Sequence, residues 1–185
     1  MKKAKFPVLL FATALLFSCS DDDKPTPVNE EEVITTVTAT FTATGEDPVI
    51  LSSRDLDGDG PQAPVVSVSG NFSAGTTYAG EITFLNELSN PPVDITEEVA
   101  AEGEEHQVFY QQNGLGAFTY TDEDTNGKPV GLEASFAASE TPSSGTLTIT
   151  LRHEPNKSAA GVANGQITNA GGNTDAEVSF SVIVE

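Results

Sequence analysis

The sequence predicts an all-β protein, an antiparallel β-sandwich of about eight to nine short strands with at most one short helix. Three observations predict it. Thr and Val alternate from Val33 to Phe41, the period-two pattern of a half-buried strand. Further short runs rich in β-branched and aromatic residues follow, most bounded by Gly, Pro, Asn or Asp. Helical periodicity is nearly absent.

The chain opens with Lys2, Lys3 and Lys5 ahead of an apolar run from Phe6 to Phe17. That run is too short to span a bilayer and reads as a secretory signal, residues 1–18. Leu16-Phe17-Ser18-Cys19 ends it in the manner of a bacterial lipobox, with Phe17 bulkier than the small residue common there. Cys19 is the single cysteine, and lipidation there would anchor the protein to a membrane and leave no thiol for a disulfide. Ser20-Asp21-Asp22-Asp23 resembles the acidic export signal of Gram-negative lipoproteins carried to the outer face of the outer membrane. Residues 19–31 then read as a lipidated, disordered tether. Residues 32–185 remain for one β-sandwich domain.

The strands are expected over Val33 to Phe41, Val49 to Ser53, Val65 to Phe72, Tyr78 to Leu85, His106 to Gln111, Ala117 to Thr121, Leu132 to Ala138, Thr146 to Arg152 and Ala176 to Val184. Strands this short and evenly punctuated suggest an immunoglobulin-like sandwich. Between the fourth and fifth, Asp94-Ile95-Thr96-Glu97 has the form of a capping box. Ile95 and Val99 lie one turn apart, and Gly103 is a stop. Residues 158–175, rich in Gly, Ala and Asn, read as a long loop.

The chain also superposes on itself at an offset of 67 residues. Asp55-Leu56-Asp57-Gly58-Asp59-Gly60 then falls on Asp122-Glu123-Asp124-Thr125-Asn126-Gly127, and Ile82 to Glu87 falls on Ile149 to Glu154. Leu51 falls on Phe118 and, with a one-residue slip, Phe41 on Phe109. Each half would hold four strands with an acidic turn between the second and third. The last strand has no counterpart.

Those acidic turns are candidate cation sites. Asp122, Asp124, Asn126, Gly127 and Glu133 fit the twelve-residue calcium-loop spacing. Alternate residues of a tight turn can aim oxygens at one hard cation, and glycine permits the bend. Asp55, Asp57, Asp59 and Gly60 repeat the first part, but Val66 stands where the terminal glutamate would ligate. The same residues are also common hairpin turns, so solvated turns without calcium fit the pattern too.

His106 and His153 are the only histidines, each at the end of an expected strand and beside carboxylates, Glu105 and Glu154. If those strand ends meet, two imidazoles and one or two carboxylates could hold Zn²⁺ or another transition metal.

Composition narrows the function classes. Removing the signal takes three of the eight basic residues and none of the 28 acidic ones, so the net charge moves from −20 to −23. Such a surface repels nucleic acid and attracts cations. No Gly-x-Ser-x-Gly, His-Glu-x-x-His or phosphate loop occurs, so no catalytic residue is assigned and the expectation is a protein that is not an enzyme. Tryptophan is absent and there are three tyrosines. A glycan-binding reading would therefore need Tyr78, Tyr110 and Tyr120 to form an exposed cluster.

The segments Thr76 to Glu87, Asp94 to Glu98, Glu105 to Tyr110 and Leu147 to Lys157 resemble a family of small outer-membrane lipoproteins often encoded beside TonB-dependent receptors. Some members are labelled "type 1 periplasmic binding fold". That two-lobed α/β architecture does not suit a chain of short strands. The resemblance implies a surface-tethered binding accessory to such a receptor, for a cation or metal complex. The alternative is a structural or adhesive sandwich rigidified by calcium.

Overall fold

The alternating apolar runs form ten strands and one helix in a computed structural model that describes residues 32–58 and 60–185. The strands are β1 (Thr36–Thr42), β2 (Val49–Arg54), β3 (Val65–Val68), β4 (Thr77–Asn86), β5 (Val93–Asp94), β6 (His106–Gln111), β7 (Gly116–Tyr120), β8 (Glu133–Ala138), β9 (Ser143–His153) and β10 (Asn173–Val184). The helix α1 (Thr96–Ala101) lies between β5 and β6. All nine expected strands are present, and the two-residue β5 is the addition. The proposed signal, Cys19 and tether lie outside the described residues.

Seven strands form one antiparallel sheet in the order β3-β2-β1-β4-β8-β7, with β5 also on β4. The second sheet has the order β10-β9-β6. Each sheet turns one apolar face inward. Val37, Ala39, Phe41, Leu51, Ile82, Phe84 and Phe136 of the first meet Val108, Leu147, Ile149, Leu151, Phe180 and Val182 of the second in one buried core. Period-two alternation puts these residues on one face of each strand, and their burial is the main favourable term holding the layers together. Phe72, from the segment after β3, packs edge-on against Phe41, Tyr78 and Phe136 and forms a parallel bridge to Val184 at the end of β10.

Three local features differ from the expectation. The strand expected to reach Phe72 stops at Val68. It is an edge strand with Val65 and Val66 exposed, so little packing extends it. In α1 the boundary residue is Ile95, and no side chain caps the helix. Asp94 instead accepts a hydrogen bond from the Thr96 amide at 2.9 Å, and Ile95 and Val99 are buried as their spacing requires. The expected loop over 158–175 contains two single 3₁₀ turns, and β10 begins within it at Asn173. Val162 and Ala170 of this segment pack on Phe109, on the side of β6 away from the main core.

The repeat is visible but broken. β2, β3 and β4 coincide at the offset with β7, β8 and β9, and the pairings β1·β4 and β2·β3 recur as β6·β9 and β7·β8. The β1·β2 pairing does not recur, because β6 lies in one sheet and β7 in the other. Phe109 is also no structural match for Phe41: Phe41 faces the main core and Phe109 faces away from it.

Candidate metal centre

The β6·β9 register sets His106 directly opposite His153. The next residues on the same face are Val108 opposite Leu151 and Tyr110 opposite Ile149, all in the core, so both imidazoles point between the sheets. Their ring centroids are 4.6 Å apart. Two carboxylates converge on them. Glu32 comes from the segment just ahead of β1. Asp175 comes from β10, where the register on β9 shifts between Thr174 and Ala176. Asp175 is therefore the extra residue of a bulge, and a bulge re-aims a side chain that strict alternation would send to the other face.

The cluster is tight. His106 Nε2 lies 2.9 Å from Glu32 Oε1 and 3.7 Å from Asp175 Oδ2. His153 Nδ1 lies 3.5 Å from Glu32 Oε2 and 3.6 Å from Asp175 Oδ1. Tetrahedral ligands held at about 2.0–2.1 Å from a zinc ion stand roughly 3.3 Å from one another, and the four separations bracket that value. The ligand side chains are also buried: those of His106 and Asp175 are 0% exposed, His153 4% and Glu32 5%.

The hydrogen bonding points to a cation. His106 Nδ1 lies 3.2 Å from the Glu102 carbonyl oxygen, which can only accept, so Nδ1 carries the proton. In the neutral ring, Nε2 then presents a lone pair to the Glu32 carboxylate. His106 Nε2 and Glu32 Oε2 are buried without a hydrogen-bond partner. Buried acceptors facing one another are costly unless a positive charge, a metal ion or a proton on Nε2, lies between them. A backbone carbonyl fixing the far nitrogen is the usual support for a metal-binding histidine. Two imidazoles and two carboxylates suit a borderline transition ion, whereas Ca²⁺ takes six to eight oxygens. The buried group Glu32, His106, His153 and Asp175 could thus hold a metal ion, and its ligand atoms all lie within 4.8 Å of one another.

Of the carboxylates expected beside the histidines, neither joins this group. Glu105 Oε2 is 3.9 Å from the other nitrogen of His153, at the rim, with its side chain 55% exposed. Glu154 has φ +50° and is exposed, since the chain turns away directly after His153. Glu32 and Asp175 were not singled out by the sequence. Glu32 closes an acidic run whose earlier members read as tether, and Asp175 falls at the end of the segment that reads as loop.

In the acidic turns the carboxylates accept hydrogen bonds from the chain itself. Asp122 accepts backbone hydrogen bonds from Gly131, Leu132 and Glu133 at 2.7 to 3.1 Å, bracing the entry to β8. Asp124 accepts from the amides of Asn126 and Lys128, and its other oxygen is paired with the Lys157 ammonium at 2.9 Å. Lys157 also donates to the Gly103 carbonyl. Burial acts to raise the Asp124 pKa, but those amides and the ammonium outweigh it and hold the carboxyl below its ordinary value. Asn126 contributes its backbone, and Glu133 stands on exposed strand surface in register with Glu81. In the first turn Asp55 accepts from the amides of Asp57 and Gly58, and Asp57 from that of Gln62. Asp59 lies outside the described residues. Among the described residues, neither turn gathers three carboxylates at one point.

Tyr78 and Tyr110 are buried in the core, so the exposed tyrosine cluster required for a glycan platform does not exist. Compared with models of known protein families, with curated proteins and with solved structures, the chain matches none of them.

Proposed function

We propose that this protein is a surface-tethered lipoprotein whose domain captures a transition-metal ion, zinc or a close relative, through Glu32, His106, His153 and Asp175. In this reading Cys19 carries the lipid, and a TonB-dependent outer-membrane receptor receives the ion. The single observation that supports capture is the convergence of two imidazoles and two carboxylates in a buried site where His106 Nε2 and Glu32 Oε2 have no hydrogen-bond partner. The acidic surface favours approach of a cation.

The test is a thermal melt of the whole chain in detergent after chelator treatment, with Zn²⁺ or Ca²⁺ added. At about 100 times its dissociation constant, a ligand specific for the folded state adds ~2.7 kcal/mol. For a domain of this size that raises the midpoint by about 5–10 °C. Zinc is expected to produce the shift, and His106→Ala and His153→Ala to abolish it. A shift with calcium alone, or a zinc shift that survives loss of both histidines, overturns the reading.

One observation favours a second reading, in which the ion is a structural staple. Three ligands belong to the β10-β9-β6 sheet and the fourth leads into β1 of the other, so the ion would join the two layers. Closed four-ligand sites are typical of structural zinc. The readings separate on exchange: a capture site surrenders its metal to a chelator while folded, and a staple only on unfolding.

A further inference from the structure

Three of the four metal-site residues are fixed in hydrogen-bonded strands, and one is not. His106, His153 and Asp175 stand on β6, β9 and β10. Glu32 lies on the short arm ahead of β1. From Thr35 onward that arm is pinned: the Thr35 amide donates to Leu85 O at 2.9 Å, and Thr35 O accepts from the Asp55 amide at 2.7 Å. Residues 32–34 make no backbone hydrogen bond to the described domain. Val33 is 53% exposed, and only Ile34 packs against the core. The Glu32 carboxylate is thus held where it is almost wholly by the two histidines it faces.

The arm also lines a cleft of about 520 Å³. Residues 32–35 line it together with Asp175 to Val178 of β10 and with Ser53, Asp55 and Pro64. An ion bound by both Glu32 and Asp175 would join the arm to β10. Without an ion, two carboxylates would face each other across a buried site, and like charges at such range repel strongly where water is excluded. Because the arm has no other polar tether among the described residues, it is the element that can yield.

We infer that Glu32 is a metal-dependent latch: the bound ion draws the arm down over the other three ligands, and the arm's release is the route by which the ion enters and leaves. This rests on the metal-binding reading above and adds to it which ligand exchanges. It assigns Glu32 a role that the other carboxylate, on β10, does not share.

The test is NMR on the whole chain in detergent, comparing metal-stripped protein with protein given one equivalent of Zn²⁺. The His106 and His153 ring signals report binding, and the backbone order parameters of Val33 and Ile34 report the arm. In the wild type, zinc is expected to shift both rings and to raise the order parameters from below about 0.6 to about 0.85. In Glu32→Gln, zinc is expected still to shift the rings, with affinity weakened at least about tenfold, while the arm stays below about 0.6. An arm already rigid without metal overturns the latch, as does an arm that stiffens equally in Glu32→Gln. Rings that do not respond to zinc in the wild type overturn the metal site itself, and the latch with it.

Discussion

Lys157 is one of eight basic residues in the chain, and it is buried against Asp124 and the Gly103 carbonyl. Burial lowers the pKa of its ammonium, and Asp124 offsets part of that loss. The second acidic turn therefore already holds a positive charge supplied by the chain. Breaking a buried pair by removing one partner is costly, so Lys157→Met is expected to lose about 3 kcal/mol in urea unfolding. Calcium should stabilise that variant at concentrations that leave the wild type unmoved. At this scale the sequence pointed correctly to the two histidines, because each ended a recognisable strand. Asp124 and Asn126 also sat in a recognisable turn. What the turn's spacing could not show is that Lys157, far along the chain, supplies the charge. A local motif records ligand geometry, not the long-range neighbour that competes for it.

Among the elements, β10 carries the most consequence for the site. Its alternation from Ala176 to Val184 was plain, because Val178, Phe180, Val182 and Val184 recur on the core side. Its first residues carry no such pattern, because Gly171 and Gly172 suggest a turn and Asn173 and Thr174 are not apolar. Gly172 has φ +70°, and a Cβ there would lie 2.1 Å from the His153 carbonyl oxygen. Only glycine allows the chain to approach β9 closely enough for the bulge to form beside His153. Gly172→Ala is expected to leave the domain folded but to displace Asp175, lowering zinc affinity about tenfold or more by calorimetric titration. An unchanged affinity would show that the entry to β10 tolerates a shift without moving the ligand.

Across the whole molecule, the two layers are joined by apolar packing and by a few polar contacts at the β6 side. Tyr120 of β7 donates to Val108 O of β6 at 2.8 Å, and Tyr110 of β6 donates to Gly131 O at 2.6 Å. Burial pushes the Tyr120 phenol up to about 12 and that of Tyr110 well above its ordinary value. A raised tyrosine stabilises the fold fully below the unfolded-state value near 10, and that contribution is lost as pH rises through about 12. Stability should therefore fall between about pH 10 and 12, and Tyr120→Phe should make the fall shallower in alkaline unfolding followed by circular dichroism. Fold class was legible because strand periodicity is local. The division into seven and three strands was not, because nothing local tells β6 to leave β7 for the opposite sheet. The pairing of His106 with His153 bears on how the chain finds that arrangement. A slip of one residue between β6 and β9 would carry one imidazole to the outer face, as it would every side chain of the slipped strand. Only the native alignment presents both rings to one ion, so metal present during refolding would act as a proofreader, rewarding the correct strand pairing and leaving misaligned hairpins to come apart.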